Sequence, residues 1–293
     1  MGVRFPHAGP LIVLLALALP LPTYGKAKHV APPALAARAV LLFDYKTNKV
    51  IEEHNIHKRM PIASVSKLMT AYVILESNLD LDEKVTVPAT VIEKSPVLKT
   101  KSVITRQELL HLALISSDNV AAKTLAETYP GSAAKFVAKM NETAVKLGMT
   151  NTGFADPSGL SVFNTSTAWD LHLLNCALIK YSVFNDTAMS KTSVQTLQNS
   201  RGHWYKLVIR NTSAFAGEYD LRIGKTGFTN AARWCINMQI RLSGHSFDII
   251  VLGSPTKHVR NNLVKSLIDK NLSRAVSIGA MYDIEQLDTD STR

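Results

Sequence analysis

Met60-Pro61-Ile62-Ala63-Ser64-Val65-Ser66-Lys67-Leu68-Met69-Thr70-Ala71 is the stretch on which the reading of this chain turns. An apolar helix is expected to begin near Ser64 and run to about Glu76, because Leu68, Tyr72 and Leu75 recur at helical spacing. On such a helix Ser64 and Lys67, three residues apart, share one face within a few ångströms of each other. The helix start leaves backbone N–H groups without intrahelical partners, the raw material of an oxyanion hole. A neutral lysine amine so placed can take the serine proton. Free lysine titrates near about 10.4, so burial or a neighbouring cation must lower it first. Spacing alone does not single out this pair, since Ser132/Lys135 and Ser254/Lys257 have it too. Context separates them: Ser132 follows Pro130-Gly131 as a helix cap would, and Ser254 precedes Pro255 as in a turn or cap.

Working outward, Ser117-Asp118-Asn119 falls in a short break between two helices, the first opened by the capping box Thr105-Arg106-Gln107-Glu108. The Ser117 hydroxyl can relay a proton and the Asn119 amide can bind a substrate carbonyl, although Ser, Asp and Asn at such a junction also serve as caps. Further on, Lys225-Thr226-Gly227 closes a strand over 221–225. A cation and a hydroxyl on a strand edge suit a carboxylate, and Gly227 would let substrate backbone lie close. The alternative there is a solvated lysine at a turn.

Other elements follow from periodicity and punctuation. Strands are expected at 39–43 and from 50, on either side of the turn at Lys46–Lys49. Helices are expected at 119–128, 132–147 and 167–180, with a loop over 149–165. Beyond 203 the pattern changes to strands at 203–210, 221–225, 233–241 and 247–253, then a helix over 256–269. Strands at both chain ends with helices between them imply an α+β fold: one antiparallel sheet built from both ends, with an inserted helical subdomain.

Composition bounds the function. The chain has 293 residues, 46% of them hydrophobic, enough for a substantial core. Arg4 precedes the apolar run Leu11–Leu19, which as nine helical residues spans only about 14 Å against roughly 30 Å of hydrocarbon. It reads as a signal peptide over 1–25. A linker follows at 26–36, then the folded domain at 37–270 and a polar tail at 271–293. The formal charge is +10. In an exported chain with dispersed basic residues such as Arg210 and Arg260, it argues for solvated surface or anionic wall polymer and against nucleic acid. Cys176 and Cys235, among apolar neighbours, read as buried free thiols, with one disulfide open as the alternative. No metal or cofactor is expected; His54 and His57 make no zinc motif.

Together and in this order, Ser64-x-x-Lys67, Ser117-x-Asn119 and Lys225-Thr226-Gly227 resemble the motif set of the penicillin-binding proteins and serine β-lactamases. Pro61–Ala71, Leu147–Thr152 and Asp156-Pro157-Ser158-Gly159-Leu160 resemble the low-molecular-mass D-alanyl-D-alanine peptidases. Ser116–Asn119 and Gly224–Ala232 resemble the endopeptidase branch, the penicillin-binding protein 7 type. The resemblance implies the β-lactamase/transpeptidase-like fold and a set of roles. Ser64 is acylated and Lys67 is its base. Ser117 and Asn119 assist proton transfer and placement, and Lys225 and Thr226 hold a carboxylate. The N–H groups of Ser64 and Phe228 form the oxyanion hole. It implies peptidoglycan stems as substrate, β-lactams as covalent inhibitors and peripheral association with membrane or wall-synthesis proteins, while the signal peptide implies a periplasmic location. The alternatives are a D,D-carboxypeptidase, a β-lactamase and a catalytically silent wall-binding protein. One departure is Arg233, where the family usually has glycine; it bears on substrate choice. Against the β-lactamase reading, Leu171-His172-Leu173-Leu174-Asn175 puts leucine where a Glu-x-x-Leu-Asn string has its acid, and Asp170 is rotated about 100° away on the helix.

Overall fold

The computed structural model describes residues 37–270. The expected signal segment, linker and tail lie outside the described residues.

Two strands open the chain, β1 (Ala39–Asp44) and β2 (Lys49–His54), joined by the expected turn. After the short β3 (Met60–Pro61) and a single 3-10 turn, Ala63–Ser66, comes α1 (Lys67–Glu76). The next segment holds β4 (Lys84–Thr86), β5 (Val103–Thr105), α2 (Arg106–Leu114), α3 (Asn119–Glu127) and α4 (Ala133–Lys146). Then follow β6 (Thr165–Ser166), α5 (Ala168–Leu178), α6 (Ser182–Met189), β7 (Thr192–Gln198) and β8 (Trp204–Arg210). The chain closes with β9 (Asp220–Thr229), β10 (Arg233–Leu242), β11 (His245–Ser254) and α7 at 257–270.

The main sheet has the order β2-β1-β11-β10-β9 and is antiparallel throughout, so both chain ends build it, as the sequence implied. Strand β1 is apolar at nearly every position because both its faces are covered. Alternate residues enter opposite cores. Ala39, Leu41 and Phe43 face the helical layer with Leu68, Leu171 and Ile250. Val40 and Leu42 face Val264, Leu267 and Ile268 of α7. Burial of each such aliphatic side chain stabilises by about 1.5–3 kcal/mol, which explains why α7 closes the outer face of the sheet.

Two expectations change. The sequence pattern puts strand 203–210 with the C-terminal sheet, but β8 pairs with β7 in a separate sheet of order β4-β5-β7-β8. Its residues are mostly exposed, unlike those of the main sheet, and the polar partner β7 (TSVQTLQ) gives little apolar signal. The strand expected at 221–225 is β9, which is ten residues long and runs to Thr229, so Lys225-Thr226-Gly227 lies within the strand and not at its end. Pairing with β10 over its whole length overrides the weak propensity of Gly224 and Gly227.

Candidate active site

The turn that presents Ser64 is squeezed from two sides. Ala63 takes φ +50, a strained value for a residue with a Cβ. A Cβ on Gly159, itself at φ +84, would fall 2.0 Å from the Ala63 carbonyl oxygen. A Cβ on Gly227 would fall 2.9 Å from Ile62 O and 3.0 Å from Ser64 N. The glycine of Lys225-Thr226-Gly227 therefore admits the chain's own backbone beside the serine, and it also lines the cleft. Ser64 sits in the first positions of the 3-10 turn, and its N–H points to no intrahelical partner there. Phe228 follows on β9, 45% exposed, with its ring 4.4 Å from that of Trp234.

Lys67 begins α1 and is fully buried. Its Nζ lies 2.8 Å from Ser64 Oγ, 2.7 Å from Asn119 Oδ1 and 2.7 Å from the Ser158 carbonyl oxygen. Burial lowers its pKa to about 7, against the pull of Asp118 and Asp156. Valence completes the argument. A neutral amine has two N–H bonds and one lone pair. The two carbonyl oxygens take the N–H bonds, which leaves the lone pair for the Ser64 hydroxyl.

The loop 156–161 aims that Ser158 carbonyl. Asp156 accepts from Ser158 N, Ser158 Oγ, Gly159 N and Ser161 N at 2.6–2.7 Å. These donors outweigh partial burial and hold its carboxyl below the usual range. In the sequence this stretch shows only as a loop over 149–165 and as part of the resemblance.

Ser117, also strained at φ +61, accepts from Lys225 Nζ at 2.9 Å. Lys225 is buried, donates as well to Thr226 O, and is pushed well down by burial, then by Lys67 and Arg260. Thr226 Oγ1 donates to Thr212 Oγ1 at 2.7 Å. Asp118 turns away from the cleft: it caps α3 through Ala121 N and accepts from Ser95 at 2.5 Å. The three motifs thus meet at one cleft of about 330 Å³, lined by Ser64, Ser117, Thr212, Thr226, Gly227, Phe228, Trp234, Lys257 and Arg260.

Arg260 is the residue that sequence reading missed. Its place among dispersed basic residues suggests solvated surface charge, yet it is 1% exposed. It donates to Cys235 O at 3.1 Å, lies over the Trp234 ring and is lowered to about 10 by burial. No periodic signal marks it, because α7 is brought to the cleft only by sheet packing. The competing strings resolve as punctuation: Ser132 caps α4 by accepting from Lys135 N at 3.3 Å, and Ser254 ends β11 with no exposure. Arg233 takes φ +60 at the β9–β10 turn and its side chain is exposed, so the family's glycine there answers a backbone need.

A buried lysine beside a serine at a helix start, with a second buried lysine across the cleft, on an antiparallel sheet flanked by helices, defines a serine acyl-transfer enzyme of the penicillin-binding fold. The solved crystal structure of a Streptomyces DD-transpeptidase is similar at TM-score 0.74 and 26% identity, over 81% of this chain and 97% of that one. Penicillin-binding protein D2 of Listeria monocytogenes, in a cefotaxime-bound form, is similar at TM-score 0.68 and 29% identity, over 81% and 97%. The D-alanyl-D-alanine carboxypeptidase family matches residues 26–256. A D-alanyl-D-alanine endopeptidase of Escherichia coli is 37% identical, over 83% of this chain and 81% of its own length. One of Pseudomonas aeruginosa is 36% identical, over 76% and 73%. The chain belongs to this family of serine-type D-alanyl-D-alanine peptidases.

Proposed function

We propose that the chain is a peptidoglycan D,D-endopeptidase that works through an acyl-enzyme on Ser64. The observation that carries this reading is the Lys67 amine, fully buried, with its lone pair left for Ser64. Neutral Lys67 takes the Ser64 proton as Oγ attacks the D-alanyl carbonyl. The N–H groups of Ser64 and Phe228 receive the oxyanion. The bond to the leaving amine breaks, and Ser117 passes a proton to it. Water then releases the acyl group. Asn119 orients the substrate amide. Lys225, Thr226 and Arg260 hold the carboxylate of the D-residue, with Gly227 keeping the strand close to Ser64.

The endopeptidase specificity is supported by the names of the similar Escherichia coli and Pseudomonas aeruginosa proteins. Carboxypeptidase activity is the second reading, favoured by the family's description. Purified cross-linked muropeptides decide. Dimers falling to monomers support the proposal, whereas loss of terminal D-alanine with dimers intact gives the second reading. The Ser64→Ala variant should do neither and should take no fluorescent penicillin; continued labelling overturns the nucleophile. The domain occupies 37–270 in this reading, and residues 1–25 direct export to the periplasm and are absent from the mature protein. Contact with the membrane or with wall-synthesis proteins is peripheral.

A further inference from the structure

Apart from the cleft, α5, β1 and β11 bring together a second set of reactive side chains. His172 and Cys176 are four residues apart on α5, so their side chains stack on one face. His172 Nδ1 lies 2.7 Å from Oδ2 of Asp248, which is fully buried on β11. The Tyr45 hydroxyl donates to the same oxygen at 2.8 Å, and Gln239 Nε2 donates to Oδ1 at 3.0 Å. An ionised carboxylate can only accept, so it fixes the proton on Nδ1 and turns Nε2 outward. Nε2 then faces Cys176 Sγ at 4.0 Å, and the Tyr45 oxygen lies 3.5 Å from the sulfur. Phe43, with ring centroids 4.2 Å apart, and Trp169, at 5.3 Å, hold the imidazole in place. This is a nucleophile, a base within reach and a buried carboxylate orienting that base. The thiol is open to solvent, contrary to the buried, inert cysteine that its sequence neighbours suggested. Cys235 does meet that expectation: it is buried and its thiol is pushed up to about 11 by burial.

We propose that Cys176 is a second nucleophile of this chain, an exposed thiolate held against the His172 imidazolium that exchanges with disulfides and becomes S-thiolated. The thiolate attacks one sulfur of a disulfide R–S–S–R. The S–S bond breaks, a Cys176–S–S–R bond forms, and R–S⁻ leaves to be protonated by solvent. One disulfide is consumed and one is made, so no further oxidant enters. The titratable groups around the sulfur are His172 on its own helix, Tyr45 just past β1 and Asp248 on β11. Partial burial pushes the Cys176 thiol up, but the contact with His172 outweighs it and the net direction is down. Burial likewise opposes the charge on His172, and Asp248 outweighs it, raising the imidazole to about 9. Both directions favour the ion pair at neutral pH. The inference does not depend on the Ser64 mechanism, because no group is shared.

The test is reaction with dithiobis(nitrobenzoate) from pH 5 to 10. A single fast equivalent per chain should map to Cys176 by peptide mass, with an inflection below the unperturbed thiol value of about 8.5. Cys176→Ser should remove the fast phase. An unperturbed thiol is only about 3% ionised at pH 7, so His172→Gln should slow the reaction about tenfold there and move the inflection back up. Penicillin labelling reports whether that variant is folded; if it is not, the wild-type profile decides alone. An ordinary inflection in the wild type, a fast phase at Cys235, or a folded His172→Gln variant of unchanged rate overturns the proposal.

Discussion

Lys67 and Arg260 are the residues whose chemistry burial changes most usefully. In the folded chain Lys67 loses its proton near pH 7. The general-base role proposed for it requires the neutral amine. Penicillin acylation should therefore slow about tenfold per unit below pH 7 and level off above it, read by stopped-flow labelling. A profile flat down to pH 5 would remove Lys67 as the base. The stability sign follows from the same shift. The unfolded chain keeps this proton up to about pH 10.5, so it binds more protons than the folded chain between about 7 and 10.5. Stability from this group rises with pH across that window, and the cost is complete below it. Arg260 supplies a cation to the cleft floor beside Trp234. Replacing it with alanine should lower kcat/KM about 10–100-fold for substrates with a free D-residue carboxylate, the value of one charge-assisted hydrogen bond. Amidated substrates should lose far less. Equal losses on both would mean that Arg260 acts only through packing.

At the scale of elements, short turns rather than helices set the serine geometry. The loop 156–161 is wound around one carboxylate, and its glycine meets the Ala63 carbonyl with no room for a methyl group. Gly159→Ala should shift the Ser64 turn. We expect penicillin acylation to fall at least about tenfold, or stability to fall by about 2–4 kcal/mol, the size of backbone strain joined to a steric clash. Denaturant unfolding and labelling rates distinguish the two, and a variant unchanged in both contradicts the geometry. The β9–β10 turn predicts the opposite sign. Arg233 sits at φ +60 with an exposed side chain. Arg233→Gly should stabilise by about 1 kcal/mol, as relief of a left-handed residue allows, seen as a higher Tm. A lower Tm would mean that the arginine makes a contact worth more than the strain.

For the whole molecule, the packing of α5 bears on the lifetime expected of a β-lactam adduct. Release of the ester requires an activated water, and the acid that could supply it in a class A β-lactamase is leucine here. Leu171 is buried in the core. Asp170 is 2% exposed and is occupied by Asn151 N and Thr152 Oγ1, at 2.9 and 2.7 Å. Asn175 is paired with Asn237 across to β10. All three side chains knit α5 to its neighbours and leave no carboxylate of that helix for the ester. Intact mass spectrometry should find a long-lived one-to-one penicilloyl adduct on Ser64. Turnover of many equivalents per minute would revive the β-lactamase reading.

The sequence alone determined the first two strands, the helices α1 to α5 and α7, the strands from β8 onward and the identity of the three motifs, but not β3 to β7 or α6. The reason is local: Thr105 and Glu108 form the capping box they spell, Ser64 and Lys67 share a face through three residues of helical winding, and β1 is apolar because both sides are covered. Only the tertiary structure decided which sheet β8 joins, that Arg260 and Lys225 are both buried beside one cleft, that Gly227 brings backbone next to Ser64, and that Cys176 is exposed beside a His–Asp pair. Each of these depends on groups far apart in the chain. His172 and Asp248 are separated by 76 positions, and Lys225 and Ser117 by 108. Periodicity carries no record of such pairings, because they are fixed by how sheet and helices pack and by the burial that follows.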